Sequence, residues 1–230
     1  MTIALGSVSN SANVSDTGVT WQHTVLAGEN IIIVCVQAQD SNSNEITTSS
    51  VTFNGDALTS VGNSPLGSGY IRTDIWYLVN PDVVTNGNIV VTKAGKCTDI
   101  MCSAISLSGV DTSDPIDKPA PAAATSTNPT VTVLCRYNNS WIVDAMVTTL
   151  SATTSIAVDA NGTQMNKTDV GSYACCSSYR AITGAAGNYA IGWTADSAEW
   201  VTLVVAFKAD ISVAIPRMGF VNFANGPGQV

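Results

Sequence analysis

The sequence predicts an all-β protein, an antiparallel β-sandwich, and three observations carry that prediction. Short runs rich in β-branched and aromatic residues recur from the first residues to about Lys208. Turns built from Asn, Gly, Ser, Asp and Pro separate them. No window combines a sustained helical apolar period with caps, and only Asp144 to Ser151 is open to a helical reading.

Taken in order, the expected strands are Thr2 to Val8, Val19 to Val25, Asn30 to Ala38, Ser50 to Phe53 and Ala57 to Val61. The step Asn54-Gly55-Asp56 between the last two is a tight-hairpin signal, because a type I′ turn needs positive φ. Tyr70 to Val79 follows, with Ile71, Thr73, Ile75, Tyr77 and Val79 on the face expected to point into the sandwich. Its other face pairs Arg72 with Asp74 and leaves Trp76 half exposed. Asn88 to Lys93 and Ile100 to Leu107 complete the first half. Gly109 to Pro129 reads as a long crossover without strand character, its prolines favouring extended segments over one end of a single sandwich. Thr130 to Arg136 and Ser140 to Val147 come next, with Tyr137-Asn138-Asn139 expected to close a hairpin between them. Gln164 to Asn166, Ser172 to Arg180, Tyr189 to Thr194 and Trp200 to Phe207 end the series. The last is apolar on both faces, which predicts a central strand covered on its second side by loops or a neighbouring subunit. One sandwich domain is thus expected over 1–208, with 209–230 as a C-terminal extension.

Composition narrows the function. The apolar fraction of 45% is enough for a large core, and only 11% of residues are charged. Surfaces built from Ser, Thr and Asn suit subunits packed side by side, where long charged side chains would lose entropy. The net charge of −8 is spread along the chain, with no basic run, so no nucleic-acid partner is expected. No stretch reaches the roughly 18 apolar residues of a membrane span. The N-terminal residues show neither the basic nor the apolar region of an export signal, which predicts a protein made in a cytoplasm and not exported by the usual secretory route.

Residues equipped for chemistry are few. His23 is the only histidine and lies in an alternating strand, where a half-exposed position is expected. No nucleophile elbow, phosphate-cradling loop or paired carboxylates accompany it, so no enzymatic activity and no cofactor are predicted. Asp111, Asp114 and Asp117 form the one acidic cluster; they are a weak Ca²⁺ candidate, and equally ordinary turn formers. Trp21 and Tyr70 are the rings expected to stand exposed and able to stack on a glycan. The six cysteines contain no zinc-type spacing. Cys175 and Cys176 are adjacent, so in a strand they face opposite ways; the outward one is a candidate for an intermolecular disulfide.

The extension holds Ile215, Phe220, Val221 and Phe223, two of the chain's four Phe residues. Such a cluster left in water is costly. It reads first as a latch inserted into a neighbouring subunit by strand addition, and second as a segment folded back on its own sandwich. Burial of each Phe would contribute roughly 1.5–3 kcal/mol before ordering costs.

The segments Val51 to Val61, Asp74 to Pro81, Ile105 to Asp117 and Trp200 to Phe207 resemble those of jelly-roll-like β-sandwich proteins of tailed bacteriophages and related bacterial surface modules. The resemblance spans roughly 1–208 and rests on turn and core residues. It implies a structural component of a virion, with capsid decoration first. Its partners would be itself and other virion proteins such as the major capsid protein. The alternatives are an adhesive module meeting a host-surface glycan and a filament subunit joined by strand donation.

Overall fold

A computed structural model describes residues 2–149, 155–170 and 172–211. Among them the chain forms strands and no α-helix, and every strand pair is antiparallel. The first half contributes β1 (Ala4–Asn10), β2 (Gly18–Val25), β3 (Ile31–Gln39), β4 (Thr48–Phe53), β5 (Asp56–Ala57), β6 (Thr59–Asn63), β7 (Ile71–Val79), β8 (Val84–Lys93) and β9 (Asp99–Ser108). The second contributes β10 (Ile116–Ser126), β11 (Thr130–Cys135), β12 (Trp141–Thr148), β13 (Ala157–Val158), β14 (Thr163–Val170), β15 (Tyr173–Ala181), β16 (Gly187–Thr194) and β17 (Ala198–Phe207).

Where the sequence pointed to one sandwich over 1–208, the strand order gives two. Strands β1-β9-β3-β7-β6 form one sheet, and β2-β8-β4-β5 form the sheet facing it. Strands β10-β17-β12-β15-β14 and β11-β16-β13 repeat the arrangement. If β5 and β6 are the two legs of one bent strand, each half follows the jelly-roll order, with its first strand beside its last and its second beside its second-to-last. The repeat extends to irregularities. A bulge interrupts β1 against β9 after Leu5, and β10 against β17 after Ile116. Another interrupts β6 against β7 after Ser60, and β14 against β15 after Gln164. Ser60 sits opposite Trp76, which faces Val34; Gln164 sits opposite Ser178, which faces Asp144. The second bulge of each half therefore falls at the same register.

The two five-stranded sheets pack on each other, giving four layers. Strand β1 lies over β14, β6 over β10, and β3 over β12, the pattern of a two-fold axis between the halves. Ile31, Ile33, Cys35, Ile105 and Leu107 meet Trp141, Val143, Ala145, Val205 and Phe207 in that central core. Outward from it, Ile32, Val34 and Val36 pack with Val51, Phe53, Ile89 and Val91 in the first sandwich. Ile142, Val204 and Ala206 pack with Val133, Cys135 and Ile191 in the second. This explains why β3 and β12 are buried along their whole length and carry apolar residues on both faces.

Several expectations change. The segment taken as a strandless crossover contains β10, paired with β17 from Ile116 to Ser126. Pro119 and Pro121 are tolerated there because β10 is an edge strand, where a residue lacking an N–H can face away from its partner. Tyr137 to Asn139 does not close a hairpin: β11 pairs with β16 and β12 with β15 and β17, so the turn passes between sheets. The second face of β17 is covered by the chain's own outer sheet. At Asn54-Gly55 the φ angles of 50° and 98° form the expected tight turn.

Candidate functional site

The predicted site residues that fall among the described residues each have a definite place, and most are engaged inside the fold. Trp21, on β2, is buried and its Nε1 donates to Ser9 Oγ at 3.0 Å. It does not stand exposed, because the edge strand β1 lies beside β2 and carries Ser9 over it. Tyr70 is 39% exposed at φ 49°, in the turn before β7. The two rings lie on different layers and form no joint stacking platform. His23 is buried, not half exposed, with Nδ1 2.8 Å from Ser9 Oγ. Burial lowers its pKa to about 4, against a smaller raising effect of Glu29, so near neutral pH the ring is uncharged. Ser9 thereby ties the edge of one sheet to two side chains of the next, accepting from Trp21 and hydrogen-bonding His23.

Cys175 and Cys176 do face opposite sides of β15, but both sides are core. Cys175 packs with Ile71, Met101, Val147 and Val201 between the halves, and Cys176 with Met146, Trp193 and Trp200 in the second sandwich. Burial pushes both thiols well above their ordinary range. The expected outward thiol is absent because a second sheet covers this one, so neither is placed for an intermolecular disulfide. All six cysteines are free and buried.

The three aspartates are spent separately. Asp111 Oδ1 accepts from Ser113 N at 3.0 Å, Ser113 Oγ at 2.6 Å and Asp114 N at 3.4 Å, and the Ser113 hydroxyl leads in lowering its pKa. Asp114 pairs with Lys208, whose Nζ also lies 5.1 Å from the Tyr137 ring centroid. Asp117 accepts from Arg136 N and Nε, at 2.5 and 2.7 Å. No group of three or more His, Cys, Asp or Glu among the described residues is arranged to hold a metal ion. Ile215, Phe220, Val221 and Phe223 lie outside the described residues.

Two buried polar clusters were not foreseen in full. Asp74, read as the partner of Arg72, is also 3.9 Å from Lys93 Nζ. Thr48 Oγ1 donates to Asp74 at 2.5 Å and accepts from Lys93 at 2.9 Å. Desolvation raises the Asp74 pKa and lowers that of Lys93, each opposed by the other's charge. Asp144 accepts from Trp193 Nε1 at 2.8 Å and from Ser178 Oγ, and burial raises it to about 6. Its signal was a lone carboxylate in the apolar run Trp141 to Val147. Both clusters tie strands of facing sheets together, which is a packing role.

Among the described residues, strand edges and shallow depressions stand accessible. One depression, about 490 Å³, runs along β2 and β8 past Val14, Asp16, Thr17, Val19 and Thr92. Another, about 400 Å³, lies beside β1 and is lined by Leu5, Gly6, Leu26, Gly28, Glu29 and Ser108. Leu5 and Leu26 are 46% and 54% exposed there, and Val8, farther along β1, is 41% exposed. No described helix is long and apolar enough to cross a membrane.

No family model and no curated protein matches this chain. Among solved structures, the major capsid protein P2 from bacteriophage PM2 aligns over 88% of this chain and 97% of its own, at 10% identity and a TM-score of 0.27. A likeness at that level carries no weight on its own, and the jelly-roll assignment rests on the strand order above.

Proposed function

We propose that this chain is a non-enzymatic structural protein of a bacteriophage virion, serving as a capsid decoration or accessory subunit. The observation that carries the reading is the four-layer stack, which buries both faces of its two central sheets and both unforeseen polar clusters. Rigid β layers with a surface low in charge and shallow in relief suit docking on neighbouring subunits better than enclosing a small substrate. Its partners are then copies of itself and other virion proteins such as the major capsid protein, and it acts on the particle exterior. Residues 209–230 serve as the latch, through Ile215, Phe220, Val221 and Phe223.

The test is immunogold labelling of purified particles from a lysate of the phage that encodes the chain. Label on the heads is the expected result. Absence of the chain from particles by both labelling and peptide mass spectrometry would overturn the proposal.

A further inference from the structure

The repeat places equivalent edges on the two halves but leaves them unequally protected. Strands β1 and β10 occupy the same position, each an outer edge beside the last strand of its half and each with a bulge. The bulge therefore does not distinguish them. Strand β10 carries Lys118, Pro119 and Pro121, the residues with which natural edges resist pairing. Strand β14 holds Lys167 and Asp169, and β6 is short. Strand β1, Ala-Leu-Gly-Ser-Val-Ser-Asn, has neither proline nor charge. It also exposes Leu5 and Val8, with Leu26 lining the depression beside it.

The chain leaves the described fold next to this edge. Ala209 bridges to Val110, and Asp210 N donates to Gly109 O at 2.8 Å. A Cβ at Gly109 would stand 2.5 Å from Thr2 O, so this exit lies at the end where β1 begins. Residues 212–230 can extend about 60 Å from there at roughly 3.3 Å per residue. They include Phe220-Val221-Asn222-Phe223, a segment able to pair as a strand.

We propose that β1, with the Leu5–Leu26 depression, receives the C-terminal segment of a neighbouring copy as an added antiparallel strand. This deepens the latch reading above and rests on it. The neighbour is favoured over the chain's own tail by direction. The sheet is antiparallel throughout, and a strand antiparallel to β1 must enter at its Asn10 end. The chain's own tail starts at the Ala4 end and would have to travel the length of β1 before turning back. A tail arriving from another copy enters at either end.

The experiment uses the full chain carrying Val8→Cys and Val221→Cys, treated with a flexible bis-maleimide. The native thiols are all buried, so the two introduced ones are the reactive pair. The expected products on a denaturing gel are multiples of 23.8 kDa. Full chains with Leu5→Lys and Val8→Lys should scatter light as a 23.8 kDa monomer while keeping the β-type circular dichroism of the parent. Cross-links confined to single chains would overturn the proposal in favour of a tail folded on its own sandwich. An oligomer that survives both Lys substitutions would overturn it in favour of another interface. Particle labelling is read separately: a monomeric chain found on heads removes this inference and leaves the proposed function, and tail exchange by a chain absent from particles does the reverse.

Discussion

Replacing Asp144 by Asn should make the protein more stable at neutral pH and flatten its response to acid. The carboxyl sits between the second pair of sheets, and burial raises its pKa from 3.8 to about 6. The folded state therefore keeps the proton to higher pH than the unfolded chain. Between those values the folded protein binds more protons, so this group's contribution to stability is full below 3.8 and lost as pH rises through about 6. At roughly 1.36 kcal/mol per pH unit, the ionised form costs about 3 kcal/mol near neutrality. Asn keeps an acceptor for Trp193 Nε1 and supplies a donor toward Ser178 Oγ, without the charge. Urea unfolding of parent and Asp144→Asn at about pH 4 and about pH 7.5 should show the variant gaining about 2.4 kcal/mol on the parent between them. Subtracting the two proteins removes the titration of Asp74, Lys93 and His23, which they share. An equal pH dependence in both would refute the argument that desolvation governs this carboxyl.

Other expectations concern residues that the structure relocates. The His23 imidazole should titrate near 4 by NMR; since its folded pKa lies below the unfolded 6.5, the stability it contributes is present above 6.5 and lost as pH falls toward 4. A midpoint near 6.5 would mean that the ring is solvated. Trp21→Ala should destabilise by about 3–5 kcal/mol in chemical denaturation, as a large core truncation does, and an unchanged midpoint would return Trp21 to the surface. A thiol reagent should modify none of the six cysteines in the native protein and all of them in denaturant. Rapid reaction of one native thiol would contradict the double covering of β15.

Much of the fold was legible because strand burial writes itself into residue type. The runs at β3, β7, β9 and β17 were plain, and so was the Asn54-Gly55 turn. Strand β10 was hidden because its prolines and alanines carry a loop's signature, and only its edge position makes them admissible. The duplication was hidden for a different reason. Ile31 corresponds to Trp141, Cys35 to Ala145, and Val34 to Asp144, so equivalent positions share a role without sharing chemistry. A core constrains volume and side more than identity. The same covering sheets account for the relocated site residues. Whether an alternating strand has a wet face depends on what lies above it, and neither Trp21 nor Cys176 encodes its neighbouring layer.

The two halves are sequential in the chain, and among the described residues no strand of one is inserted in a sheet of the other. A ribosome would therefore deliver all nine strands of the first half before β10 exists. Until the second half arrives, the face bearing Ile31, Ile33, Cys35, Ile75, Ile105 and Leu107 has nothing to cover it. At roughly 5–20 residues per second, the remaining hundred or so residues take about 5–20 s to synthesise. During that interval the nascent chain presents a sticky, nearly flat surface shaped to fit a second half-sandwich. On crowded polysomes, halves from neighbouring nascent chains can meet there before their own partners emerge. The yield of correctly paired molecules is then set by a race between translation and encounter.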